Sequence, residues 1–349
     1  MSRSPLILPS DPSFYELPPP PGSEPEPSLE DRLAALADGD EGEEIAADED
    51  VPPSIAGSCD SHVELRPDPE RFPPAAGASE IAAVHPVEDY IRLRNSLRLD
   101  RAVIVQSDIH GFDSAALLDA LDRLGPERAR GVAAVGPEVS EAEVRDLDAA
   151  GCVAARFQMR EPQRRIDWND TGRIASRVHD LVDWDVDLQM DGRFLMEVED
   201  RIHSWPGRVI LDHIGCFMGP VSDRDPGFRA LLRLIDADKV WVKLSGPEES
   251  DPQHPRYPHA ERLARMLIRF APERLVWGSN WPHPAAIDPA NRRARPQGAH
   301  LLRLLDEWCD DEGLRDRILI DNARILWRFP EATATASSGS VAGPDNAHR

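Results

Sequence analysis

Lysine is almost missing from this chain: Lys239 and Lys243 are the only two in 349 residues. Basic side chains total 40 against 63 acidic ones, a formal net charge of −23. That deficit excludes a phosphate-tracking nucleic-acid binder, which needs a basic face to release counterions. Long apolar runs are missing too, and none approaches the ~20 residues of a membrane-spanning helix. The run Pro5-Leu6-Ile7-Leu8 is too short for the apolar core of a secretory signal. Cysteine is scarce: Cys59, Cys152, Cys216 and Cys309 lie far apart, with no C-x-x-C pair. This spacing argues against a disulfide framework or a zinc ribbon and points to reduced thiols in the cytoplasm. No G-x-G-x-x-G turn occurs, so the main signature of a dinucleotide-binding open sheet is lacking.

Charge and proline are unevenly spread. Residues 1–58 carry 14 acids against Arg3 and Arg32, together with 11 of the 33 prolines. Such a segment buries little apolar surface, so residues 1–56 are expected to form a disordered acidic arm, with a short helix over Leu29–Leu36. The arm reads either as a solubilising tail or as a contact for another protein. Residues 331–349, rich in Ala, Ser, Gly and Thr, read as a disordered tail. The expected folded domain is residues 57–330, close to the ~250 residues typical of one (β/α)8 barrel.

Within that domain, short apolar runs alternate with amphipathic stretches. Strands are predicted over Ser61–Leu65, Ala102–Gln106, Gly131–Val135, Val153–Phe157, Val186–Met190, Val209–His213, Val240–Ser245 and Leu275–Ser279. Helices are predicted over Asp113–Leu124, Ser140–Ala149, Thr171–Val182, Asp225–Ile235, His259–Phe270 and Ala299–Trp308. Asp113 stands where a helix cap would, and Ser140 with Glu143 makes a capping box. Eight strands in this alternation predict an α/β protein, a closed (β/α)8 TIM barrel, with its site at the C-terminal strand ends. Polar residues gather at those ends: Asp60, His62 and Glu64, placed on one face by the period of two, then His110, Arg156, Gln189, Asp212-His213, Lys243 and Asn280 to His283. Ionisable groups there are costly for folding alone and are what a site requires.

An ordered set of motifs carries a family resemblance. It runs from C-D-S-H-V-E at 59–64 through A-V-I-V-Q at 102–106, H-G-F-D at 110–113 and A-R-F-Q at 155–158. It continues with V-I-L-D-H-I-G at 209–215, V-W-V-K-L-S-G-P at 240–247, R-L-V-W-G-S-N-W-P-H-P at 274–284 and I-L-I-D-N-A-R-I-L-W at 318–327. In these the chain resembles the amidohydrolase superfamily, in the amidohydrolase-2 branch that includes 2-pyrone-4,6-dicarboxylate lactonase-like enzymes. The resemblance implies a barrel whose first strand ends in His-x-His, whose sixth carries the His of D-H-x-G, and whose eighth ends in an Asp. It implies a divalent metal in many members and none in some lactonases. The matching positions here are His62, Glu64, His213 and Asn280, so a Glu replaces the second His and an Asn replaces the Asp. Where a pyrone-dicarboxylate lactonase would offer an Arg after strand 7, this chain reads Glu248-Glu249-Ser250.

These positions set the expectations. The catalytic candidates are His62, Glu64, His213, Asn280 and His283, the last as a proton shuttle. His62, Glu64 and His213 form a candidate His2Glu set for one divalent ion, zinc or manganese, with a metal-free site as the alternative. Glu64 is either a ligand or the base that activates water, not both. Arg156 is expected to grip a substrate carboxylate in a bidentate fork, with His110 and Gln189 as further substrate contacts. Lys243 either polarises a carbonyl or forms a structural ion pair. Asp212 is expected to orient His213 or a loop backbone. The expected activity is hydrolysis of a small lactone or related cyclic carboxylated ester. The alternatives are a decarboxylase of the same superfamily and a binding barrel that has lost hydrolysis.

Overall fold

The computed structural model describes residues 55–78, 83–251, 256–283 and 298–331. The helix expected at Leu29–Leu36, nearly all of the acidic arm with its expected protein contact, and the tail from 332 onward lie outside them.

Eight parallel strands follow one another around the sheet in chain order. They are β1 (Ile55–Glu64), β2 (Leu99–Val105), β3 (Ala129–Ala134), β4 (Cys152–Gln158), β5 (Asp185–Gln189), β6 (Val209–Leu211), β7 (Val240–Leu244) and β8 (Leu275–Trp277). The outer helices are α1 (Val87–Ser96), α2 (Ala115–Leu124), α3 (Glu141–Ala149), α4 (Trp168–Val182), α5 (Leu195–Ser204), α6 (Pro226–Asp236), the short α7 (Pro247–Ser250), α8 (Pro258–Phe270) and α9 (Gly298–Trp308). Two short helices follow, α10 (Glu312–Asp316) and α11 (Asn322–Leu326), with a π-helical turn between them. The eight expected strands and six expected helices are present, with ends shifted by a few residues. The largest shift is in β1, which starts at Ile55. Helices α1 and α5 escape the periodicity because polar and charged residues make up more than half of their length. The Ser140 hydroxyl caps α3 by accepting from Glu143 N at 3.1 Å, and Asp113 Oδ1 accepts from Ala115 N at 2.9 Å. No helix of the described residues is long and apolar enough to cross a membrane.

The barrel closes between β8 and β1. Asn280 N donates to His62 O at 3.0 Å, and Glu64 N donates to Trp281 O at 2.8 Å. Gly278 permits this approach, because a Cβ there would lie 2.7 Å from His62 N. The expectation that Asp60 shares a face with His62 and Glu64 is corrected here. Asp60 pairs with Ala102 and Val63 with Ile104, so β1 holds one extra residue over that interval, a bulge that reverses the alternation. Asp60 therefore accepts from Ser279 N (2.8 Å), Ser279 Oγ (2.6 Å) and Tyr90 OH (3.3 Å), fastening β8 and α1 to β1.

Two apolar cores result. One lies between the strands and the helices, with Ile104, Phe157, Leu188, Phe228 and Trp277 among its members. The other fills the barrel: Cys59, Val103, Val105, Val132, Ala154, Ile210, Trp241 and Val276 meet Ala323, Leu326, Trp327 and Phe329 of the C-terminal segment. That segment covers the N-terminal ends of the strands, where Asn322 Nδ2 donates to Pro272 O and Leu275 O at 2.7 Å each. The opposite, C-terminal end is left for the polar side chains.

Candidate active site

Each strand that enters the mouth delivers polar residues two apart, because alternate side chains face inward. From β1 come His62 and Glu64, from β4 Arg156 and Gln158, and from β5 Asp187 and Gln189. From β7 come Lys243 and Ser245, while Asp212-His213 follow β6 and Asn280 to His283 follow β8. All of these except Gln158 and the indole of Trp281 are buried almost completely.

Lys243 is the centre of this layer. Its ammonium ion-pairs with Asp187, lies 2.9 Å from Asp212 Oδ1 and 3.1 Å from His62 Nδ1, and stands 5.3 Å over the Trp327 ring. Burial pulls its pKa down, but the charges of Asp187 and Asp212 outweigh this and raise it. Burial likewise opposes ionisation of Asp212, but Lys243 and His62 hold its carboxyl well below the ordinary range. Asp187 ends above that range, through burial and repulsion from Asp212. His62 Nδ1 lies 3.2 Å from Asp212 Oδ1, and its Nε2 lies 3.5 Å from Glu64 Oε1. His213 packs edge-on to His62 with ring centroids 4.7 Å apart, and its Nδ1 meets Ser245 Oγ at 3.1 Å. Burial, then the charge of His62, keeps the pKa of His213 well below its ordinary value, so its imidazole is neutral.

A second group sits beside the first. Arg156 Nη2 donates to Glu64 Oε1 at 2.6 Å and to Gln189 Oε1 at 3.0 Å, and its Nη1 donates to Gln106 O. Burial raises the Glu64 pKa, but the Arg156 charge and the bonds from His62 and Arg156 bring it below the ordinary range. Arg156 also lines a cleft with Asp108, Phe112, Gln158, Gln163 and Arg165 that opens beside the layer.

The third group joins α7 to the end of β8. Glu248 Oε1 accepts from Asn280 Nδ2 at 2.9 Å and meets His283 Nδ1 at 3.0 Å. Gly246 (φ 53°) makes this possible: a Cβ there would lie 2.5 Å from His213 Nδ1 and 3.0 Å from Asn280 Nδ2. Five of the ten described non-glycine residues with positive φ lie in the loops after β6 and β8, namely His213, Ile214, Cys216, Asn280 and His283. Backbone in this sparsely populated region clusters where function holds it.

The structure thus joins His62, Glu64, His213, Arg156, Gln189 and Lys243 in one network, and puts Asn280 and His283 in an adjoining one. His110 is buried in the turn after β2 and makes no hydrogen bond or ion pair with either network among the described residues. Asp187 and Glu248 are the additions that residue-by-residue reading did not assign a role. Asp187 was signalled by Asp-Val-Asp-Leu-Gln in β5, where three polar residues alternate inward along a buried strand. Glu248 was visible only as the acid standing where an Arg was expected.

Ligand atoms of His62, Asp212 and His213 converge within 4.8 Å of one another, close enough to hold one cation. Such an ion would sit beside the Lys243 ammonium, which already ion-pairs with Asp212 and touches His62. Glu64, the carboxylate of the expected ligand set, is bonded to Arg156. Like charges repel strongly at this range and depth, so the fit to a divalent ion is poor while Lys243 holds this place.

Comparison with known proteins identifies the family of this barrel. Over 71% of its length the chain is 34% identical to the D-galactarolactone isomerase of Agrobacterium fabrum, covering 83% of that protein. It is 28% identical to the 4-sulfomuconolactone hydrolase of Hydrogenophaga intermedia, over 78% of this chain and 88% of that one. An apo crystal structure of an Agrobacterium tumefaciens protein superposes with a TM-score of 0.69 at 31% identity, covering 80% of this chain and 98% of the other. The amidohydrolase family model matches residues 59–329. With that match over most of its length, and with its barrel and strand-end histidines, the chain belongs to the amidohydrolase family.

Proposed function

We propose that this chain opens a small carboxylated lactone by delivering water to the ring carbonyl at the barrel mouth. The observation that carries the reading is the buried layer around Lys243. Three carboxylates (Glu64, Asp187, Asp212) meet two permanent cations (Arg156, Lys243) and two imidazoles at the strand ends. Its carboxylates neutralise the cations, and the imidazole donors they hold in place are what can meet negative charge developing on a carbonyl oxygen. His213, neutral and oriented by Ser245, offers its other ring nitrogen to that oxygen, and His62 stands beside it. Arg165, which lines the cleft, supplies positive charge for the substrate's carboxylate, whereas the Arg156 fork expected in that role is taken up by Glu64, Gln189 and the Gln106 carbonyl. The named lactone-acting relatives support this substrate class.

The site works in this reading without a divalent metal, because the Lys243 ammonium already engages the Asp212 carboxylate and the His62 ring that would hold one. A panel of carboxylated lactones, assayed with and without chelator and followed by metal analysis of the purified protein, tests both points. Ring opening that survives chelation is the expected result. Absence of ring opening on every lactone overturns the activity, and activity lost to chelator and restored by zinc or manganese overturns the metal-free site. Release of CO2 from the same substrates would indicate the decarboxylase alternative.

One observation favours a second reading. Asn280 stands at the β8 position of the family Asp, and a carboxamide takes no proton from water at neutral pH. A lactone whose own hydroxyl attacks the carbonyl would change ring size without consuming water, which is an isomerisation, and the Agrobacterium fabrum relative is named a lactone isomerase. Running the reaction in 18O-water separates the two, since only hydrolysis incorporates the label.

A further inference from the structure

We infer that Glu248 is the proton acceptor of this barrel, with Asn280 holding the other hydrogen of the attacking water. The inference rests on the hydrolytic reading above and supplies the base that Asn280 cannot be.

The other fully buried acids of the mouth are committed, and Asp108, which lines the cleft, is only partly buried. Glu64 is ion-paired with Arg156, Asp187 and Asp212 with Lys243, and Glu249 with Arg160 at 3.0 Å. At Glu64 and Asp212 the neighbouring cation outweighs burial and makes the carboxylate a weak base, while Asp187 and Glu249, whose pKa values are raised, face Lys243 and Arg160. Asp60 is spent on Ser279 and Tyr90. Glu248 has no lysine or arginine partner among the described residues. Its contacts are Asn280 and His283, both on Oε1.

The remaining oxygen carries the argument. Glu248 Oε2 and Asn280 Oδ1 are both buried, and neither has a hydrogen-bond partner among the described residues. The residues themselves are 3% and 1% exposed. Buried acceptors without donors are rare because they lose hydration and gain nothing in exchange. Here two occur on residues that hydrogen-bond each other, next to His213 across Gly246. A water molecule has two hydrogens to give, and these oxygens are two acceptors. Donating one hydrogen to each leaves its lone pair to attack the carbonyl carbon.

The step balances without further reagents. The water oxygen forms a bond to the carbonyl carbon as its proton passes to Glu248 Oε2, and the carbonyl π pair moves to oxygen. When the π bond re-forms, the bond from carbon to the ring oxygen breaks, and the ring oxygen takes the proton back from Glu248. The product is an open hydroxy acid. His283 acts as a positioning residue through its Nδ1 contact with Oε1.

The test is Glu248→Gln, assayed on whichever lactone the wild-type protein opens. General-base catalysis contributes on the order of 10²–10⁴-fold, so kcat should fall by about that factor while KM changes little. The acid limb of the wild-type kcat/KM profile should disappear from E248Q, a change that a merely structural role would not produce. E248Q with near wild-type kcat, or with reduced kcat and the acid limb intact, overturns the inference. If E248Q does not fold, Glu248→Asp decides: withdrawing the carboxylate by one methylene should cost at least about tenfold in kcat, and full activity overturns the assignment. A wild-type protein that opens no lactone instead overturns the hydrolytic reading, so the two failures are distinguishable.

Discussion

Asn280 and Glu248 are in hydrogen-bond contact at 2.9 Å, so a charge placed on one is felt by the other. Asn280→Asp would put two carboxylates at that separation, with no arginine or lysine on Glu248 among the described residues to compensate them. Like charges so close raise the pKa of one member, and the pair tends to share a proton. The substitution should therefore leave hydrolysis unchanged or slower, with the acid limb of the pH profile moved upward. A gain of about tenfold or more, expected when an isolated base is restored, would contradict it. The same scale explains what the residues alone left open at Glu64. Its shared face with His62 follows from the period of two, but its choice between metal ligand and base depends on Arg156, 92 residues away. No local pattern announces a partner at that separation.

The C-terminal segment does more than end the chain. Trp327 follows α11, fills the floor of the barrel, donates its Nε1–H to Ser61 Oγ at 3.0 Å and carries the Lys243 ammonium over its ring. Trp327→Ala removes all three contacts, and buried aromatic truncations cost about 3–5 kcal/mol. Urea denaturation should show a loss of that order, whereas Ile325→Ala, at a position 51% exposed, should stay within about 0.5 kcal/mol. Equal effects of the two substitutions would show that Trp327 is not a core element. The strands and the longer helices were legible because Val-rich buried runs and 3.6-residue periodicity are local signals. The β1 bulge was not. It is set by pairing with β2, and it alone turns Asp60 away from the face that holds His62 and Glu64.

Across the whole barrel, the buried carboxylates tie stability to pH. Glu64 and Asp212 hold their protons less tightly folded than unfolded, the first through Arg156 and the second through Lys243 and His62, each against burial. Below about pH 4, near the ordinary carboxylate value, the unfolded chain therefore binds more protons, and stability falls as pH drops. Asp187, Asp60 and Glu249 have the opposite sign, and their contributions weaken the fold as pH rises through their raised pKa values. The melting temperature should drop between about pH 5 and pH 3, and less steeply in Glu64→Gln, which has one fewer depressed carboxyl to protonate. An unchanged slope in that variant would remove Glu64 from the account. At this scale the sequence by itself determined the eight-fold alternation, the strand-end histidines and the family, because each is written in local spacing and ordered motifs. Only the tertiary structure decided which acids stand beside cations and that Glu248, among the described residues, has no lysine or arginine partner. Closure of the sheet brings Lys243 against His62 across 181 residues and seats Glu248 on Asn280 across 32. Whether a buried carboxylate is pinned or basic depends on the charge beside it in space, whatever its place along the chain.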